Sequence, residues 1–153
     1  MALLISVPAT YGYVGISAFG SILLTTWQMI LVSGARKAAG IQYPQLYAEK
    51  AEVAASRKAQ IFNCTQRAHA NTLEALPTFL FCTLIGGLKS PRTTSLLAGV
   101  WLFSRVLYTL GYASGEPKKR VQGAYLGTPA LLGLLVTAGV TLFDLVQRNN
   151  FKF

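Results

Sequence analysis

The sequence predicts an all-α fold, an integral membrane bundle of four spanning helices, and three observations carry that prediction. Only 12% of the 153 residues are charged and 52% are hydrophobic, with a mean hydropathy of +0.43, against roughly 25% charge in soluble domains. Four apolar runs, at 13–33, 57–88, 93–114 and 121–146, are long enough at about 1.5 Å per residue to cross a hydrocarbon core of about 30 Å. The 14 Lys and Arg outnumber the 5 acids for a net charge of +9, and such an excess in a polytopic chain decorates the cytoplasmic loops. Nothing interleaves basic residues with aromatics on a soluble surface, so no nucleic-acid partner is expected. Residues 1–153 read as a single four-span domain.

The first run has no charged segment before it, the first basic residue being Arg36, so it is expected to stay in place rather than be cleaved as a signal. It ends in Gly34-Ala35-Arg36-Lys37, where the two cations reach the headgroups. The segment 39–58 carries Tyr43, Pro44, Tyr47 and several charges, and is expected to leave the bilayer as a loop. The second span opens near Arg57 with Gln60, Asn63, Arg67, Asn71, Glu74 and Thr78 within roughly 80° of one another around the helix. Charges near the bilayer centre cost at least about 2.5 to 3.5 kcal/mol each, so they face a partner, a cavity or a ligand. Pro77 is expected to kink this helix just after Glu74.

The short 89–92 turn makes the second and third spans an antiparallel hairpin. In the third span Trp101, Arg105, Tyr108 and Tyr112 repeat at i, i+4, i+7 and i+11, giving a second polar face. The link 115–120 is a turn with Pro117 suited to a first helical position. The fourth span carries Asp144 near its far end, and the tail 147–153 is only an exit. Arg36, Lys37, Lys50, Arg57, Lys58, Lys118, Lys119 and Arg120 fall on the first and third loops, against Lys89, Arg92, Arg148 and Lys152 on the opposite side. The positive-inside rule then makes those loops cytoplasmic and both termini lumenal. The polar ends of spans two, three and four lie toward the cytoplasmic leaflet, where they can converge. Cys64 and Cys82 are about 27 Å apart along one helix and read as ordinary buried thiols.

Arg67, Asn71 and Glu74 on one face, with Arg105, Tyr108 and Tyr112 on another, supply cations, an anion, an amide and phenols. A matching ligand carries carboxylates, an ammonium and peptide groups, as a small zwitterionic peptide does. The alternative is structural: Arg67 and Glu74 neutralise each other or a neighbouring span and hold the bundle together. Both readings stand on pattern alone. His69 lies about 200° from Arg67, off the polar face, and reads as a packing or interface residue. No metal site is expected.

The string FNCTQRAHANTLEALPTFLF, residues 62–81, resembles the FNC-x-QRAH-x-NTLE signature of the membrane-associated proteins in eicosanoid and glutathione metabolism, closest to their microsomal glutathione S-transferase 3 branch. RVLYTLGYASGEPKKRVQGA, residues 105–124, is similar to that branch's R-x-LYA-x-GY-x-x-GEP-x-KR pattern, and Tyr43-Pro44 to its VEYP loop. The resemblance covers all four spans. It implies homotrimers of four-helix subunits that bind glutathione as co-substrate between neighbouring subunits, near the cytosolic face of the endoplasmic reticulum membrane. It implies glutathione contacts at Arg36, Arg67, Asn71, Glu74, Arg105, Tyr108 and Tyr112, and a thiol-activating cation at Arg120. Lys119 stays open as an alternative, because the preceding turn is longer than in the leukotriene C4 synthase branch.

A thiol of pKa about 8.5 is mostly protonated at neutral pH, and a guanidinium near sulfur stabilises the thiolate. The implied activity is glutathione transfer to a hydrophobic electrophile, or reduction of a lipid hydroperoxide, with the second substrate arriving through lipid. Ala75, His69 and Lys37 differ from the leukotriene-forming enzyme, which weakens the implication of leukotriene C4 synthesis and leaves glutathione binding in place. Two other classes are carried: a non-enzymatic lipid-binding scaffold resembling the five-lipoxygenase-activating protein, and a small exporter of cations. The exporter would want a buried carboxylate without a basic partner, and Glu74 shares its face with Arg67.

Overall fold

The structure is a computed structural model and describes residues 7–148. Of the tail expected at 147–153, residues 147 and 148 belong to the last helix rather than to an exit, while 149–153 and the side chain of Arg148 lie outside what the structure describes. Helix α1, Gly12–Ala39, continues past the apolar run and carries Arg36 and Lys37 in its last turn. It stops at Gly40, whose φ of 71° is the left-handed conformation that glycine adopts without steric cost.

The stretch 39–58, expected as a loop, contains a short helix, α2, Lys50–Ala55. A reciprocal cap starts it: the Glu49 carboxylate accepts from the Glu52 backbone, and the Glu52 carboxylate accepts from the Glu49 N–H at 2.7 Å. The local Glu-x-x-Glu spacing won over the polar, Pro-containing composition that suggested irregular chain.

Helix α3, Arg57–Lys89, runs through Pro77 as one element. Ser90 alone separates it from α4, Pro91–Ala113, so the two form the expected antiparallel hairpin. A single 3-10 turn, Pro117–Arg120, leads into α5, Val121–Arg148. The four long helices are long and apolar enough to cross a membrane, and no strand occurs among the described residues.

Helix α3 packs against α1, α4 and α5, and so forms the shared wall of the bundle. Phe79 of α3 stacks on Trp101 of α4 at 4.2 Å between ring centroids, within a core that includes Leu24, Cys82, Ala98 and Leu134. Both cysteines are free and buried. Apolar side chains also cover the outside: Ile16, Phe19, Ile30, Leu96, Phe103, Val136 and Phe143 are all exposed. So much exposed apolar surface suits a solvent of lipid tails rather than water. At the end away from the basic loops, Lys89 pairs with Asp144 at 3.1 Å and the Tyr11 hydroxyl donates to the Leu84 carbonyl at 3.0 Å.

Lipid-exposed helices gain little from apolar burial, so close approach through small residues carries much of their association. Here α5 lies on α4 through Gly123, which abuts the backbone of Ser104 and Tyr108, and Gly127, which abuts the Ser104 side chain. A methyl group at Gly123 has no room, and the obstructing atoms are backbone. Gly123→Ala is therefore expected to destabilise the fold by about 1 to 3 kcal/mol. Gly99, whose added Cβ meets nothing within 4 Å, should tolerate alanine without loss. Thermal unfolding of both variants in detergent checks the contrast.

Candidate functional site

Arg105 lies thirteen positions after Arg92 on α4, about 20 Å along the axis, and so well inside a hydrocarbon core of about 30 Å. It is 7% exposed. Its Nε donates to Thr72 Oγ1 at 3.1 Å, and Nη2 donates to the same oxygen at 3.0 Å and to Asn71 Oδ1 at 2.9 Å. The guanidinium carbon sits 4.1 Å from the Tyr108 ring centroid. Thr72 and Thr109 are in turn bridged by Gln28 of α1, whose Nε2 donates to them at 2.9 and 2.7 Å. The cation is thus held by one hydroxyl, one amide oxygen and an aromatic face.

Arg120 is placed by the turn before α5. Gly115 has a φ of 82°, its carbonyl accepts from Gln60 Nε2 at 2.9 Å, and Gly111 leaves room for the Lys119 carbonyl against α4. The turn is therefore seated on both α3 and α4. Arg120 Nη1 donates to the Tyr112 hydroxyl at 3.3 Å, and Tyr112 packs edge-on to Tyr108 at 5.8 Å. Lys119 instead pairs with Glu116 at 3.1 Å, with both side chains half exposed.

Between α3, α4 and α5 lies a groove of about 700 Å³, lined at its polar end by Asn71, Glu74, Arg105, Tyr108 and Arg120. It continues past Trp101 to Leu131, Leu132 and Leu135. Leu135 also lines a second, apolar groove of about 450 Å³ with Pro77, Phe81 and Leu142, farther along the same helix pair. Two guanidinium groups at different depths, one carboxylate and one amide can bind an anionic, peptide-like molecule, and the apolar continuation can take a chain.

The structure does not gather every residue singled out from the sequence. Arg67 forms a two-pronged contact with Glu74 at 2.6 and 3.3 Å, with the side chains 43% and 55% exposed. This is the mutual neutralisation that the i, i+7 spacing allowed. Asn63 left the shared polar face altogether, its amide pairing with both backbone groups of Ala48 at 2.7 and 2.9 Å. Arg36 lies on the other side of α3: it donates to the Gln45 carbonyl at 2.6 Å and sits against the Tyr43 and Phe62 rings at 4.3 and 4.6 Å. Phe62 and Asn71 are nine positions apart, about 180° around the helix. Arg36 and the groove therefore flank α3 from opposite sides within one subunit, and half-buried His69 shares the Phe62 side.

Gln28, Thr72 and Thr109 escaped the sequence reading. The signal for Gln28 was present, as the one amide in an otherwise apolar first span. Thr72 stands inside the NTLE stretch of the quoted signature without a role assigned to it, and nothing marked Thr109, since helical threonine hydroxyls commonly bond back to the preceding turn.

Comparison with known proteins agrees with this architecture. Residues 14–140 match the MAPEG family. An uncharacterized protein of the cyanobacterium Synechocystis sp. is 35% identical over 92 residues, which cover 59% of this chain and 66% of that protein. The chain thus spans just under two thirds of that relative's length. The family is one of membrane helix bundles, its members including glutathione transferases and lipid-mediator synthases or binding proteins. With its match extending from α1 into α5, the chain belongs to the MAPEG family.

Proposed function

We propose that this protein is a membrane-bound glutathione transferase with glutathione-dependent peroxidase activity, of the microsomal glutathione S-transferase 3 type. One observation carries the reading: Arg105, Arg120 and Glu74 line the same groove. Glutathione offers two carboxylates, an ammonium and two peptide groups; the groove lining supplies Arg105, Glu74 and Asn71, and Arg67, bonded to Glu74 beside that lining, supplies a second cation. In this reading Arg105 and Arg67 take carboxylates, Glu74 the ammonium and Asn71 a peptide group, with Tyr108 and Tyr112 as phenolic donors. Arg120 stabilises the thiolate electrostatically, since an arginine keeps its proton. Lys119 is the poorer candidate because it is engaged by Glu116 outside the groove lining. The thiolate would serve both conjugation to a hydrophobic electrophile and reduction of a lipid hydroperoxide, either substrate entering along the apolar continuation.

The working unit in this reading is a homotrimer. An ion pair as exposed as Arg67–Glu74 on a spanning helix is costly against lipid, and a neighbouring copy would cover it. Arg36 could reach glutathione only from such a neighbour. In this reading the basic loops face the cytosol by the positive-inside rule, so that the polar end of the groove opens toward the cytosol and the termini are lumenal, and the membrane is that of the endoplasmic reticulum or a related one. The second reading, a lipid-binding scaffold, is favoured by the closed Arg67–Glu74 pair, which leaves fewer charges for a peptide.

The two readings part on thiolate formation. Glutathione mixed with the purified protein should show an ultraviolet thiolate band, lost in Arg120→Ala together with roughly 100-fold of turnover, and kept in Lys119→Ala. Absence of the band in the native protein, or its persistence in Arg120→Ala, contradicts the enzyme reading. The trimer is tested by complementation. Arg36→Ala and Arg120→Ala subunits, each inactive alone, should regain part of the activity when co-expressed, and no recovery would contradict a site shared between copies.

A further inference from the structure

Arg105 cannot choose its own direction. Five N–H groups sit on a guanidinium at the end of a flexible stem, and in a low-dielectric interior it turns toward whatever acceptors are fixed nearest to it. Those acceptors are Thr72 Oγ1 and Asn71 Oδ1, and they occupy Nε and Nη2. The donors that remain for a ligand are on Nη1.

Thr72 is itself held. Its hydroxyl proton goes to the Ala68 carbonyl at 3.1 Å, and that of Thr109 goes to the Arg105 carbonyl at 2.7 Å. Both oxygens therefore present only lone pairs to Gln28, which fixes the amide of Gln28 with Nε2 toward them. The consequence is a stranded acceptor: Gln28 Oε1 is buried without a hydrogen-bond partner, in a residue that is 0% exposed. A leucine or methionine would fill similar volume without stranding a carbonyl. As a packing residue glutamine is a poor choice there; as a bridge between α3 and α4 it has a use.

We propose that Gln28 is a positioning residue for the anion site: by bridging Thr72 and Thr109 it fixes the two helices that aim the Arg105 guanidinium into the groove. Neither Gln28 nor its two hydrogen-bond partners line the groove, so in this proposal it acts through Arg105. That the bound anion is a glutathione carboxylate rests on the function proposed above; the positioning itself does not.

The test has two readouts on the full-length protein in detergent or nanodiscs. The first needs no ligand. The Arg105 side-chain Nε–H resonance, assigned by its loss in Arg105→Lys, should be rigid and slow to exchange in the native protein, and mobile and fast in Gln28→Leu. An unchanged resonance in Gln28→Leu overturns the proposal whatever the ligand is. The second readout is calorimetric glutathione binding. Gln28→Leu should weaken it roughly tenfold, but should have no further effect in an Arg105→Lys background, because an ammonium has no Nε to be held. Equal losses in both backgrounds mean that Gln28 acts through general packing, and overturn the proposal. A native protein that binds no glutathione, but whose rigid Arg105 becomes mobile in Gln28→Leu, retires the glutathione reading and upholds the positioning role.

Discussion

A guanidinium held inside a membrane bundle is the constraint to which the rest of this structure answers. Exposed to hydrocarbon, Arg105 would cost several kcal/mol; it persists because α3 supplies Asn71 and Thr72, α4 supplies Tyr108, and α1 supplies the amide that holds Thr72 in place. Three of the four helices, α1, α3 and α4, thereby acquire a fixed register at one depth. The Phe79–Trp101 stack and the glycine contacts of α5 bring the backbones close. The buried polar cluster decides which rotations of the helices are compatible.

The seating of α5 explains why the groove opens where it does. Helix α5 is pressed onto α4 at Gly123 and Gly127, while the turn before it is seated on α3 through Gln60 and Gly115. Arg120 thus arrives beside Tyr112, and Asn71 and Glu74 stand across from it on α3. The remaining seam between α3 and α5 is left to apolar side chains. One subunit of this MAPEG chain thus has a cationic, amide-lined groove on one side of α3 and, on the other, a separate cation, Arg36, under the segment that precedes α2. The division gives the proposal of a site shared between copies its geometric basis.

Much of this was legible in the residues. Apolar run length gave the four spans to within a few positions at most ends, and the i, i+4, i+7, i+11 series from Trp101 to Tyr112 marked a face that is buried throughout. Periodicity, however, assigns a side chain to a face and says nothing of its partner. Gln60, Asn63 and Arg67 share one arc with Asn71 and Glu74, yet they bond to Gly115, to Ala48 and to Glu74 itself. For Gln60 and Asn63 the partner is settled by loops whose path no helical pattern encodes. The helix α2 was missed for a similar reason, since a reciprocal cap of two glutamates outweighed composition. Gln28 was visible as an amide among apolar neighbours, but its role needed the positions of Thr72 and Thr109 on two other helices.

In the proposed function, side chains from α3, α4 and the turn before α5 form one receptacle for a tripeptide whose sulfur lies beside Arg120. Determining the structure of the protein in nanodiscs with glutathione tests this most directly. Peptide density is expected in the groove between α3, α4 and α5, with a carboxylate on Arg105 and the sulfur beside Arg120. Density for glutathione elsewhere, or a groove filled by lipid in the presence of saturating glutathione, would contradict it.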